Sequence, residues 1–242
     1  MIAVVVIWRT GAAAQDSLKS CFVFHLTKDY ASYSIGRVPQ DHYFSATPSG
    51  NAKLRPVRFS VADQELTLNA AAGTFSSGKL DKGTAVLLKL SNRFPSTGRV
   101  LDLGCGWGPI GISIAKLQPG TEVWAVDVNS RSVELANQNS KELLIENFKA
   151  VTPEQLPTDL KFKEIWSNPP IRIGKPALHK LLMTYLERLT ESGRAMLVVQ
   201  KQLGAESLLG WLADQNSQWR VTRVLNEKGY WVIEVFSSPK SP

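Results

Sequence analysis

Val100-Leu101-Asp102-Leu103-Gly104-Cys105-Gly106-Trp107-Gly108-Pro109 is a short apolar run that breaks into a glycine-rich turn and ends on a proline. That order predicts a strand, a tight loop and a helix. Proline suits a first helical turn, because its fixed φ is already helical and its missing N–H would have no partner there. Gly104 and Gly106 carry no Cβ, so the backbone there can come close to a ligand. The spacing is Gly-x-Gly-x-Gly, and Pro109 stands where a dinucleotide fingerprint has its last Gly or Ala. A dinucleotide site holds pyrophosphate on helix N-terminal N–H groups, and Pro109 has none to give. A nucleoside without phosphate does not need that cradle.

Downstream of this loop, strand and helix patterns alternate. Pro109–Leu117 reads as a helix and Glu122–Val126 as a strand. Ser130–Leu144 reads as a helix with Ser130 as its N-cap, followed by a strand at Phe148–Val151. Strands are expected at Phe162–Trp166 and Ala195–Gln200, with helices at Pro176–Leu189 and Ala205–Asp214. This alternation predicts a mainly parallel sheet covered on both faces. The end differs. Trp219–Leu225 and Tyr230–Phe236 are joined by Asn226-Glu227-Lys228-Gly229, too short a link for a parallel crossover, so they must pair antiparallel. The expected fold is α/β: a doubly wound, seven-stranded, Rossmann-like sheet with a C-terminal antiparallel hairpin.

Upstream, Asp81–Leu90 has helical spacing, and Arg55–Val61 with Glu65–Asn69 reads as a β-hairpin capping the main domain. The expected organisation is an N-terminal extension of unknown role over 1–28, a small segment with the hairpin over 29–72, and the principal domain over 73–242. The apolar run Ile2–Trp8 falls short of the roughly 20 residues a membrane span needs, and no positive charge precedes it as in a signal peptide. Cys21 and Cys105 have neither zinc-ligand spacing nor disulfide-framework density. A reduced, cytoplasmic protein without metal is expected. The net charge of +7 favours an anionic partner.

Two positions near the glycine loop carry chemistry. Asp127 ends the second strand of the alternating region, about 20 residues past the loop, where a carboxylate can accept from both hydroxyls of a ribose. Asp102 either braces the loop or meets a ligand's amino group. A third element is Asn168-Pro169-Pro170-Ile171, at the carboxyl end of the fourth of these strands and on the same sheet edge as the glycine loop. An aromatic amine is a poor nucleophile because its lone pair is delocalised, so a site that activates it should present acceptors to its N–H groups. The Asn168 side-chain oxygen and the backbone carbonyl of Asn168 or Pro169 are such acceptors, and two prolines remove competing donors. A carboxylate at 168 would still accept, so Asn168→Asp is expected to be milder than Asn168→Ala.

The parallel sheet with its antiparallel end is the layout of class I methyltransferases. Several stretches resemble, more closely, the small-subunit ribosomal RNA guanine-N2 methyltransferases within the methyltransferase small domain group. They are Asp41-His-Tyr-Phe-Ser45, Gly73-Thr-Phe-Ser76, Leu101–Ile110, Ala125-Val-Asp-Val-Asn129, Trp166-Ser-Asn-Pro-Pro-Ile-Arg-Ile-Gly-Lys175 and Val198-Val-Gln-Lys201. The resemblance implies S-adenosylmethionine as cofactor, held by Phe75, Asp102, Gly104, Gly106, Asp127 and Asn129. It implies an amine held by Asn168 and Pro169, with Pro170 completing the catalytic loop. The expected substrate is ribosomal RNA or the small ribosomal subunit, with Ile171, Arg172 and Lys175 facing it and Lys180 near by. The best-known members carry a second, degenerate domain ahead of the catalytic one, for which 242 residues leave no room. RNA docking is then expected from elsewhere. Alternatives are an adenine amino group in RNA or a protein glutamine as acceptor, and an inactive RNA-binding domain. Ile171 disfavours the first two, which an aromatic residue after Asn-Pro-Pro would suit. His42 and His179 are expected to be structural.

Overall fold

Strands Gly98–Leu103 (β3), Thr121–Val126 (β4), Phe148–Val151 (β5), Phe162–Ser167 (β6), Leu189–Gln200 (β7), Trp219–Glu227 (β8) and Tyr230–Ser237 (β9) form one sheet in the order β5-β4-β3-β6-β7-β9-β8. The computed structural model describes residues 53–76 and 78–239. The 1–28 extension, the part of the small segment before residue 53, Cys21 and the Asp41–Ser45 stretch with His42 lie outside the described residues. The first five strands of the sheet pair in parallel, whereas β9 runs antiparallel to both β7 and β8. Strand order reverses between β3 and β6, and such a switch point leaves a crevice at the carboxyl ends of the two strands.

Helices cover both faces. Lys82–Leu88 (α1), Pro109–Leu117 (α2) and Ser130–Glu142 (α3) share one apolar cluster with Val100, Val123, Trp166 and Val198. Lys175–Leu186 (α4) and Ala205–Gln215 (α5) share the other with Leu101, Leu103, Ile165 and Leu197. Neighbouring residues of a strand go to opposite faces, which is why β3 is apolar throughout and why Asp102, between Leu101 and Leu103, faces α2.

The expected hairpin is present as Leu54–Val61 (β1) and Gln64–Ala71 (β2). Its alternate residues Val57, Phe59, Val61, Leu66 and Leu68 are buried in the first cluster, with Phe59 edge-on to Trp107 at 6.1 Å. Asn139 of α3 clamps it. Its Oδ1 accepts from Asn69 N at 2.8 Å, while Nδ2 donates to the carbonyls of Asn69 and Trp107, both at 2.9 Å. Hairpin, helix and glycine loop are thus tied through one buried amide.

Several boundaries differ from the sequence reading. The N-cap of α3 is Asn129 and not Ser130: the Asn129 Oδ1 accepts from Arg131 N and Ser132 N at 3.0 and 3.3 Å. The same helix stops at Glu142. Helix α4 stops at Leu186 and β7 begins at Leu189, because a buried Leu189 pairs with Phe162 before polar Glu191-Ser192-Gly193 interrupts the apolar pattern. Among the described residues, no helix is long and apolar enough to cross a membrane.

Candidate active site

The carboxyl ends of β3, β4 and β6 open into a cavity of about 380 Å³, within the range of small-molecule sites. Gly104, Asp127, Asn168, Pro169, Pro170, Ile171, Arg172 and Phe75 all line it. The glycine loop, the strand-end aspartate and the Asn-Pro-Pro turn, separate in sequence, therefore share one space. Gly104 sits at φ +74°, and a Cβ there would stand 4.0 Å from Pro170 Cδ, in the gap between the two loops.

Asp127 holds the loop as well as facing the cavity. Its Oδ2 accepts from Gly106 N at 2.8 Å and its Oδ1 from Asn129 N at 2.9 Å. A carboxylate has about four lone-pair sites, so two remain for the hydroxyls of a ribose. Burial pushes this carboxyl up from its ordinary range, and the two N–H groups oppose the shift. Gly106 does not line the cavity; its contribution is the N–H that locks the loop to β4.

Asp102 and Asn129, both expected among the cofactor ligands, also lie off the cavity. Asp102 is fully buried, and its Oδ2 accepts from Gly111 N at 2.8 Å. A Cβ at position 111 would approach that oxygen to 3.0 Å and the Phe148 ring to 2.8 Å, so glycine sets the closeness of α2 to the sheet. Burial raises Asp102 to about 7, with a lesser push from Asp127. Of the two roles open to Asp102, the contact made is the brace. Asn129 is equally buried; besides capping α3, its Nδ2 donates to Gly73 O at 2.8 Å. Trp107 Nε1 donates to Phe75 O at 2.9 Å. These two bonds fix the backbone that carries Phe75 into the cavity.

Beside the Asn-Pro-Pro turn, Ser167 Oγ donates to Leu103 O at 2.7 Å and ties the end of β6 to β3. Asn168 Nδ2 donates to Asp81 Oδ1 at 2.7 Å and to Thr84 Oγ1 at 3.0 Å. The Pro169 carbonyl already accepts from Ile171 N at 2.8 Å. Arg172 is exposed on the cavity wall; Lys175, outside the lining, donates from Nζ to Ser207 Oγ at 3.4 Å. His179 stacks on Trp211, with ring centroids 3.6 Å apart. Buried Cys105 is a free cysteine, and desolvation pushes its thiol well up.

The sequence reading gave no site role to Asp81, Gln200 or Tyr230, which also line the cavity. Asp81 opens α1, while Gln200 and Tyr230 are register partners on β7 and β9. Tyr230 is an aromatic residue on the cavity wall, and partial burial followed by the nearby Asp81 carboxylate raises its phenol. A turn-initiating Asp before a helical pattern was the only local signal, and it indicates a cap, not a site.

Known proteins resemble this chain over most of its length. The family described as "Methyltransferase small domain" matches residues 65–234. The uncharacterized protein YbxB of Bacillus subtilis is 32% identical over 197 residues, covering 80% of this chain and 97% of that protein. Ribosomal RNA small subunit methyltransferase C of Pseudomonas syringae pv. syringae is 29% identical over 204 residues, or 80% of this chain and 55% of that protein. The chain thus spans about half the length of that relative. Among solved structures, the T. thermophilus 16S rRNA N2 methyltransferase RsmC, in complex with AdoMet and guanosine, shares the fold with a TM-score of 0.64. That match has 24% identity and covers 78% of this chain and 52% of the other.

Proposed function

For a chain that belongs to the methyltransferase small domain family, we propose S-adenosylmethionine-dependent methylation of an exocyclic amine, the 2-amino group of a guanine in small-subunit ribosomal RNA. One observation carries the reading: Asn168-Pro169-Pro170 and the Gly104–Asp127 pair line the same cavity at the sheet's switch point. The residues present fit the cofactor. A phosphate-free nucleoside asks nothing of Pro109, Asp127 has lone pairs for ribose hydroxyls, and Phe75 offers a ring beside them. When bound, the cofactor supplies an electrophilic methyl group on a sulfonium.

The protein's own part is positioning. The Asn168 oxygen accepts one amine N–H, and a loop carbonyl accepts the other. Pro169's carbonyl keeps a second lone pair beside its bond from Ile171 N. With both N–H groups held, the nitrogen lone pair is directed at the methyl carbon for in-line displacement, and the departing amine proton passes to solvent. Holding the partners in line in an apolar pocket contributes through pre-paid entropy and preorganised dipoles, without a covalent intermediate. Relatives named for small-subunit ribosomal RNA support that RNA as substrate, and the neighbour titled as an N2 methyltransferase and solved with guanosine supports guanine as acceptor.

The test incubates the protein and methyl-labelled cofactor with naked ribosomal RNA, small subunits and large subunits, then maps the modified base. Label on the guanine N2 of small-subunit RNA is expected. Label on an adenine or a protein glutamine would replace guanine as the acceptor, and no transfer together with no cofactor binding in calorimetry would overturn the enzymatic reading.

A further inference from the structure

The terminal amide of Asn168 has a donor end and an acceptor end of nearly the same shape, and only the acceptor end serves an amine. Local sequence does not choose between them. The choice comes from 87 residues upstream: Nδ2 gives one hydrogen to Asp81 Oδ1 at 2.7 Å and the other to Thr84 Oγ1 at 3.0 Å. Thr84 could face either end, because a hydroxyl both donates and accepts. An ionised Asp81 only accepts. Turning the amide over would set the Asn168 oxygen against the Asp81 oxygen, acceptor on acceptor. Asp81 is itself immobilised, since its Oδ1 accepts from Gly83 N at 2.8 Å and Thr84 N at 3.1 Å as the N-cap of α1.

We infer that Asp81, assisted by Thr84, is a positioning residue that fixes the orientation of the Asn168 amide and so makes its oxygen the end presented to the substrate amine. This rests on the reading of Asn168 given above. The start of α1 thereby acts as a template for the catalytic loop, which explains why an N-cap aspartate lines the cavity. The capping geometry also says which replacement should substitute. In Asp81→Asn, the two backbone N–H groups of α1 hold the new side chain with its oxygen where Asp81 Oδ1 stands, so Asn168 still finds an acceptor. Serine is also a good N-cap, but it is one bond shorter and does not reach Asn168.

The experiment measures single-turnover methylation of small subunits, calorimetric cofactor affinity and thermal unfolding for Asp81→Ser, Asp81→Asn, Thr84→Val, Asn168→Ala and the Asp81→Ser/Asn168→Ala double variant. Asp81→Ser is expected to slow methyl transfer about tenfold or more, by analogy with a lost oriented dipole, with unchanged cofactor affinity. Asp81→Asn should restore the rate to within a few-fold of the parent, and Thr84→Val should fall between them. With Asn168 already replaced by Ala, adding Asp81→Ser should slow transfer no further, because nothing remains to orient. Equal losses in both backgrounds would mean that Asp81 acts on the fold alone and would overturn the inference. So would a parental rate for Asp81→Ser while Asn168→Ala is inactive. A parental rate for Asn168→Ala would instead overturn the reading of Asn168 itself, and the inference with it.

Discussion

Gly106 N–H donates to Asp127 Oδ2 at 2.8 Å, so the carboxylate that faces the cavity is also the latch that closes the glycine loop onto β4. Replacing Asp127 therefore removes the proposed ribose acceptor and frees the loop together. Asp127→Ala is expected to weaken cofactor binding by about 1–3 kcal/mol, the range for hydrogen bonds to a charged acceptor. Calorimetric titration checks this, and unchanged affinity would reject the ribose role.

Asn168→Ala should lower turnover about a hundredfold while leaving cofactor affinity nearly intact, because one positioned acceptor is lost from the site. The structure reverses the expectation for Asn168→Asp. Nδ2 is spent on Asp81, so an aspartate at 168 would set one carboxylate oxygen against another where 2.7 Å now separates Nδ2 from Asp81 Oδ1. That variant is expected to be no better than Ala. Parallel single-turnover rates decide the order.

Stability should carry a signature of Asp102. Burial raises its folded pKa from 3.8 to about 7. Below 3.8 both states hold the proton. Between there and about 7, only the native state holds it, so stability falls with rising pH, and above about 7 the loss is constant. Asp102→Asn keeps an acceptor for Gly111 N and should remove this slope, making the variant at least as stable as the parent at pH 8. Urea unfolding at pH 5, 6, 7 and 8 would show the two curves diverging, and parallel curves would refute the assignment.

Arg172 and Lys175, paired in the sequence reading, are separated by the structure. Arg172 is exposed on the cavity wall, whereas Lys175 reaches Ser207 on the neighbouring helix. Arg172→Ala should weaken RNA binding more than Lys175→Ala, and should reduce the slope of log affinity against log salt by about one. Filter binding across a salt series measures both slopes, and equal effects would return the two to a common solvated face.

Local periodicity determined most of the architecture. The boundaries of α2 and β5 follow from apolar runs closed by Gly and Pro, and the antiparallel pairing of β8 with β9 follows from the shortness of their link, which the structure narrows from the four residues expected to Lys228-Gly229. Where Glu191-Ser192-Gly193 interrupts β7, the pattern failed because these residues form an irregularity between the Leu189–Phe162 and Arg194–Glu164 pairs, with Ser192 at φ +59°, so side-chain alternation is lost there. The glycine loop, Asp127 and the Asn-Pro-Pro turn were legible because each is a contiguous motif at a strand end.

What those motifs touch was decided only by the tertiary structure. The chemistry of Asp102, Asn129 and Asp81 is the same in any context, and from sequence each reads as a ligand, a brace or a cap. Strand order sets the outcome. By placing β6 beside β3 and packing α1 against β7 and β9, the fold turns Asp102 into the interior and seals Asn129 beneath the Phe75 segment. The same packing brings Asp81 to the donor end of Asn168. A hydrogen bond between residues 168 and 81 depends on the whole chain between them closing into one sheet, and no short stretch of sequence holds that information.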